Sequence, residues 1–347
     1  MTPEQVRAAP KVLLHDHLDG GLRPATVVEL ADELGHDLPT TDPEALGRWF
    51  RAGADSGSLP RYLQAFRHTV GVLQTPAALV RAARECAQDL ADDGVVYAEV
   101  RFAPELHRCG AEPAVEAVLE GFRQGCAGRS LRVGTLLTAM RDGDASAAVA
   151  RLAVRRAGDG VVGFDLAGPE EGHPPARHLE AFRTVHRAGL PCTVHAGEGA
   201  GLASIREALQ ECHAERLGHG VRIADDVRTG PAGEPVLGPL AQHVRDRRVP
   251  LELCPTSNVH TGVVGSVADH PVDLLRRLGF RVTVSTDNRL MSGVSLSSEL
   301  SALVDAFGYG PAELQRLTVE AASSAFLPDD ERVRLVEDVL LPGWAPR

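Results

Sequence analysis

Several strand-like runs of this chain end in side chains that can do chemistry. Residues 11–18 read KVLLHDHL, with His15 and His17 two residues apart. Side chains on a β-strand alternate faces, so both imidazoles point to one side and Asp16 to the other. Two imidazoles on one face can share a metal ion, although the pair alone also fits ordinary packing. Further along stand His195 with Glu198, then His219, then Asp287 with Asn288, each closing another β-rich run. Three imidazole nitrogens and one carboxylate suit Zn²⁺, with water completing a catalytic site. Buried imidazoles and carboxylates need partners, and so many at strand ends are poorly explained as satisfied core or turn residues. The ten other histidines, His270 among them, lack this placement and read as surface or packing residues. Of these, His173 is the least securely a packing residue, because it sits in the loop after the fourth run.

The elements that must hold these groups recur as a rhythm. β-rich runs fall at 11–18, 95–102, 132–140, 161–166, 191–195, 216–219, 250–254 and 281–286. The run at 216–219 is thin in composition and counts by its place in the series. Most runs precede stretches with apolar residues at helical spacing, such as 113–124, 174–188, 204–212 and 239–247. Eight strands alternating with helices predict an α/β fold, a closed (β/α)₈ TIM barrel whose active site lies at the C-terminal strand ends. An open doubly wound sheet would announce a Gly-rich phosphate turn after its first strand, and HDHLDGG is not one. Residues 24–93 are too many for a simple connection and predict a helical insertion capping one barrel end. The tail beyond Gly310 predicts two more helices, one starting at Pro328. Residues 1–347 are expected to form one domain.

Composition narrows the function. The chain has 347 residues, 44% hydrophobic and 24% charged, as in globular proteins. Its formal charge of −11 argues against a nucleic acid or an anionic membrane as partner. No apolar run reaches membrane-helix length and the N-terminal segment lacks a signal-peptide layout, so a cytoplasmic protein is expected. Six scattered cysteines without a CxxC pair read as reduced core residues. Lys11 is the only lysine, which removes P-loop chemistry and argues against Schiff-base chemistry. Barrel hydrolases with two metals commonly bridge them by a carboxylated lysine on strand four. Lys11 opens strand one instead, which points to a single ion per subunit.

With HDHLDG (15–20), SLPRYLQAF (58–66), GVVYAEVRFAP (94–104), FDLAGPE (164–170), VHAGE (194–198), ERLGHG (215–220), CPTSN (254–258), STDN (285–288) and SSAFLP (323–328), the chain resembles the adenosine deaminase family of metal-dependent amidohydrolases. HDHLDGGLRP and TDNRLMS look like its bacterial branch. The resemblance spans nearly the whole chain and implies zinc-dependent hydrolytic deamination at C6 of a 6-aminopurine. It implies His15, His17, His195 and Asp287 as zinc ligands, and Glu198 as the acid that protonates purine N1. Asp287 would accept the proton of the attacking water and His219 would orient that water. The Gly168 N–H would approach N3, Asp19 would accept from a ribose hydroxyl, and Leu59, Tyr62, Leu63 and Phe66 would form an apolar lid. For its job Glu198 must be protonated, so its pocket is expected to raise its pKa.

Three positions depart from the family pattern. Asn288 stands where many members have a second aspartate facing N7, and its amide donates without needing a proton. Asp16 replaces the usual apolar residue of the His-x-His and needs a partner such as an arginine. Asp142 follows Met140-Arg141 where a histidine is common, altering the pocket rim. The leading expectation is deamination of adenosine and 2′-deoxyadenosine, with a small purine nucleoside and water as partners. Another 6-aminopurine nucleoside, such as 6-aminodeoxyfutalosine, is the alternative. Free adenine fits less well, because adenine-specific relatives tend to carry glutamate at the position of Asp19. A non-catalytic binding protein could lose Glu198 or a ligand, and none is missing. A PHP-type phosphoesterase would need more histidines and acids.

Overall fold

A computed structural model describes residues 1–345 of the chain. Eight parallel strands form one sheet: β1 (Lys11–His17), β2 (Val95–Phe102), β3 (Arg132–Met140), β4 (Val161–Ala167), β5 (Cys192–Ala196), β6 (Arg216–His219), β7 (Leu251–Leu253) and β8 (Val282–Val284). Each pairs with its neighbour in chain order. The ring closes beyond β8, where His17 N–H donates to the Asp287 carbonyl (2.9 Å) and Asp287 N–H to that of His15 (3.0 Å). All eight expected strands are present, the thin 216–219 run with its expected bounds. β1 is buried along nearly its whole length, as a parallel strand covered on both faces should be.

Helices alternate with the strands and form the outer layer. Between β1 and β2 the chain runs through helices Pro24–Leu34, Pro43–Ala54, Leu59–Tyr62, Phe66–Val72 and Pro76–Asp92. Local chemistry explains their starts: each of Pro24, Pro43 and Pro76 takes a first helical position, where its missing N–H costs nothing. Asp42 caps the second by accepting from the Glu44 N–H at 2.9 Å. Pro76–Asp92 buries Ala78, Leu79, Ala82, Ala83, Cys86 and Leu90, while the 59–66 stretch reaches over the barrel mouth. The tail folds as helix Pro311–Ser324 and a second helix from Asp329, with Pro328 as its N-cap. Two features were not expected from sequence. An antiparallel hairpin (Val227–Thr229 with Pro235–Leu237) lies between β6 and β7, and the second tail helix continues through a π-helical turn, Leu335–Leu340.

The barrel interior is charged. Glu99 and Arg101 of β2, Asp165 of β4, Arg216 of β6 and Glu252 of β7 are all buried. Arg216 donates to Glu99 (2.5 Å) and Glu252 (2.7 Å), and Arg101 donates to Glu252 (2.8 Å). At the other end of β1, Lys11 Nζ donates to the carbonyls of Val6, Arg7 and Ala9 at 2.8–2.9 Å, closing the N-terminal face. Among the described residues no helix is long and apolar enough to cross a membrane.

Candidate active site

A cavity of about 400 Å³ opens at the C-terminal ends of the strands. Its walls include His17, Asp19, Asp142, Gly168, His195, Glu198, His219, Asp287 and Asn288. Leu59, Tyr62, Leu63 and Phe66 line it as well, so the expected lid segment does face the site. His15 sits fully buried beneath.

The donor atoms are spaced for one ion. His17 Nε2 lies 3.3 Å from His15 Nε2, 3.2 Å from His195 Nε2 and 3.3 Å from Asp287 Oδ1, and His15 Nε2 lies 3.4 Å from Asp287 Oδ1. Four donors each ~2.0–2.1 Å from a tetrahedral centre stand about 3.3 Å apart. His15, His195, His219 and Asp287 also bring donor atoms within 4.8 Å of one another, so His17 and His219 are alternative third imidazoles beside His15, His195 and Asp287. Carboxylates hold two of the rings from behind. His15 Nδ1 is 2.9 Å from Glu252 Oε2, and His195 Nδ1 is 3.1 Å from Asp165 Oδ1. Each therefore carries its hydrogen on Nδ1 and turns an Nε2 lone pair inward.

Charge follows the same plan. Burial holds His17, His195 and His219 below the ordinary imidazole range. Burial also opposes charge on His15, but Asp287 and Glu252 more than offset it and raise its pKa. Burial would raise Asp287 too, yet His15, His17 and His219 hold it well below the usual carboxylate range. His219 (φ 61°) and Asp287 (φ 58°) have left-handed backbone, a strain that recurs at functional sites. Ser257 Oγ donates to Asp287 Oδ2 at 2.6 Å.

Glu198 behaves oppositely. Burial, reinforced by Asp287 and Glu170, pushes its pKa well above the ordinary value of 4.5. The Thr261 hydroxyl lies 3.0 Å from Glu198 Oε1 and 3.1 Å from the Ser257 carbonyl. It has one hydrogen, so both contacts are hydrogen bonds at once only when Glu198 brings its own proton. Glu170 fixes the turn by accepting from the N–H groups of Gly197, Glu198 and Ala200 at 2.6–3.0 Å.

Other expected residues also take definite places. Asp19 Oδ1 is buried without a partner, and burial raises the pKa of this carboxyl to about 7. Gly168 has φ +108°, a conformation that favours glycine, and its backbone edges the cavity. Asn288 packs its partnerless Oδ1 so tightly on Gly20 that a Cβ there would lie 1.8 Å away. The partner that Asp16 needs is Arg289, whose Nε donates to Oδ1 at 2.8 Å, with Thr286 at 2.9 Å.

A family model for adenosine deaminase matches residues 10–341. The chain belongs to the adenosine deaminase family. It is 58% identical to adenosine deaminase 1 of Streptomyces coelicolor, over 99% of this chain and 89% of the relative. Among solved structures, it is similar to an adenine deaminase from Arthrobacter aurescens, with TM-score 0.84, 26% identity and 95% and 98% of the two chains covered. An amidohydrolase from Burkholderia ambifaria, solved with bound zinc, shares the fold at TM-score 0.86 and 24% identity over 99% and 92% of the chains. The family is metal-dependent, and the His/Asp group described above could hold a metal ion. Sequence reasoning about this adenosine deaminase family member did not single out Glu252, Asp165, Glu170, Thr261 or Asn258, which bond His15, His195, the Glu198 N–H, the Glu198 carboxyl and His219 in turn, and it read His270, which bonds Asn258, as a surface or packing residue.

Proposed function

We propose that the chain hydrolyses adenosine and 2′-deoxyadenosine to inosine and 2′-deoxyinosine plus ammonia, with one zinc ion per subunit held by His15, His17, His195 and Asp287. The observation that carries this reading is a pair of carboxyls lining one cavity in opposed settings: Glu198, raised well above the ordinary value by burial and hydrogen-bonded to Thr261, and Asp287, held well below it by the imidazoles around it. Zinc, when bound, makes hydroxide available near neutral pH. Glu198 gives its proton to purine N1, which leaves C6 electrophilic. Asp287 accepts the proton of the attacking water and His219 orients that water. The tetrahedral C6 bears both hydroxyl and amine; Asp287 passes its proton to the amine nitrogen, the C–N bond breaks to release ammonia, and the hydroxyl proton returns to Glu198 as the C6 carbonyl forms.

Binding divides among other residues that line the cavity. The partnerless Asp19 oxygen accepts from a ribose hydroxyl, which favours a nucleoside over free adenine. The Gly168 N–H meets N3 and the Asn288 amide donates to N7. Segment 24–93 works as a cap on the single domain 1–347, its 59–66 stretch excluding water from the reacting centre. Six unpaired thiols among the described residues agree with a cytoplasmic enzyme.

The direct test is loss of the adenine-type ultraviolet absorbance with zinc-loaded protein, offered adenosine, 6-aminodeoxyfutalosine, AMP and adenine at equal concentration. Preferred turnover of adenosine supports the reading. Preference for the larger nucleoside would keep the chemistry and change the pathway, and silence on all four would refute the substrate class.

Two variants probe the parts. His195→Ala removes a donor and its Asp165 support, so the purified protein should carry little zinc by elemental analysis; full metallation would refute the ligand set. Asn288→Asp must be protonated to donate to N7, so its kcat/KM should fall more steeply than the parent's as pH rises. A profile parallel to the parent's would remove the N7 contact.

A further inference from the structure

We infer that a hydrogen-bond chain from the Val272 backbone, through His270 and Asn258, fixes His219 in the tautomer with hydrogen on Nε2. His219 is then a donor to the attacking water, and neither a metal ligand nor the base that deprotonates it. The direction of every link follows from its first member. The Val272 N–H can only donate, and it lies 3.1 Å from His270 Nδ1. A ring nitrogen that accepts carries no hydrogen, so the hydrogen of neutral His270 is on Nε2. That Nε2 lies 3.1 Å from Asn258 Oδ1, which can only accept. The Asn258 amide is thereby oriented, and its Nδ2, which can only donate, lies 3.1 Å from His219 Nδ1. Nδ1 of His219 accepts, so its hydrogen sits on Nε2, which faces Glu198 Oε2 at 3.4 Å.

All three side chains are buried, so water does not compete for these links. Reversing any link requires reversing the first, which a backbone amide forbids. Asparagine and histidine orientations are ordinarily assigned from their networks, and here the network ends on a group with one possible role.

The chain settles what distance leaves open. His219 stands within 4.8 Å of the donor atoms of His15, His195 and Asp287. Yet His15 and His195 have carboxylates behind Nδ1, whereas His219 has an amide N–H there. The first two present lone pairs to the centre, and His219 presents a hydrogen. An Nε2–H cannot bind a metal ion or take a proton from water. His17 is left as the third imidazole ligand. Asn258 and His270 are positioning residues that act through His219, and the part of this inference that concerns the water rests on the deaminase reading above.

The test is ¹⁵N NMR of histidine-labelled full-length protein with and without added zinc, alongside Asn258→Asp. In the parent, His219 should show a protonated Nε2 and a bare Nδ1, both before and after zinc. A carboxylate at 258 can only accept, so the variant should move the hydrogen to Nδ1. Its kcat should fall ~10²–10³-fold, the scale for loss of one aligned donor, with a smaller change in KM. Should that variant fail to fold, His270→Phe keeps the ring volume, frees the Asn258 amide to turn, and should give mixed His219 tautomers with reduced kcat. Nδ1–H on His219 in the parent, or a zinc-dependent signal at its Nε2, overturns the inference. So does a variant with Nδ1–H and parental kcat. A parent that shows Nε2–H but leaves adenosine untouched refutes the deaminase reading instead.

Discussion

Replacing Glu198 with glutamine should lower kcat for adenosine by about 10²–10⁴-fold, the usual contribution of a placed general acid, while nucleoside still binds. Glutamine keeps the shape and an N–H able to face N1, but has no proton to transfer. The pH profile carries the same information. Burial, with Asp287 and Glu170 nearby, raises the Glu198 pKa, so the working acid form is lost as pH rises through that raised value. The parent's kcat/KM should therefore have a falling alkaline limb that the variant lacks. Stability is linked to the same proton. Unfolded Glu198 ionises near 4.5, whereas the folded group stays protonated to higher pH, so folding takes up a proton across that window. Its contribution to stability is complete below 4.5 and fades as pH rises towards the raised value. Glutamine escapes that loss, so the variant's melting temperature relative to the parent should climb with pH. Near-parental turnover would remove Glu198 as the N1 acid, and a melting temperature far below the parent's would turn the result into a folding defect.

What the sequence made legible was periodic. Alternation along 11–18 put His15 and His17 on one face, and the spacing of β-rich runs placed His195, His219 and Asp287 at one barrel mouth. Alternation names a face and not a partner, and the supports of these residues come from strands far away in the chain. Asp16 shows the limit. Its need for an arginine was visible, but Arg289 meets it only because β8 closes the barrel against β1. Glu99, Arg101, Asp165, Arg216 and Glu252 did leave a signal. Each is an ionisable residue in a strand buried on both faces, where a lone charge is untenable, so each required an opposite charge from another strand. Which strand supplies it depends on register around the barrel. His270 left no such signal. It lies outside the strands, and only the folded loop after β7 brings it onto Asn258. The hairpin at 227–237 is short and largely exposed, with no apolar alternation to mark it.

Glu252 is where that buried network meets the proposed metal ligands, and its loss should be costly twice over. Its oxygens receive His15 Nδ1 (2.9 Å), Arg101 (2.8 Å), Arg216 (2.7 Å) and the Thr193 hydroxyl (3.2 Å). Burial would raise its pKa, but Arg101, Arg216 and His15 hold it well below the ordinary 4.5. Its stabilising effect is therefore complete above 4.5 and lost as pH falls through the depressed value. Glu252→Ala leaves Arg216 with Glu99 as its remaining carboxylate beside the Ser324 carbonyl (2.8 Å), and Arg101 with the Leu14 carbonyl (2.8 Å) and a longer 3.5 Å contact with Asp165. Removing one partner of a buried pair costs about 3–5 kcal/mol, which urea unfolding at neutral pH should register. Zinc affinity, measured by chelator competition on the folded fraction, should fall about 10–100-fold, because His15 loses the acceptor that fixes its tautomer. Glu252→Gln separates the two effects. Its amide oxygen can still accept from His15 or from one arginine, so it should recover part of the zinc affinity while the missing charge keeps stability low. Equal zinc affinity in all three proteins would make Glu252 a counter-ion of the barrel interior with no hold on His15.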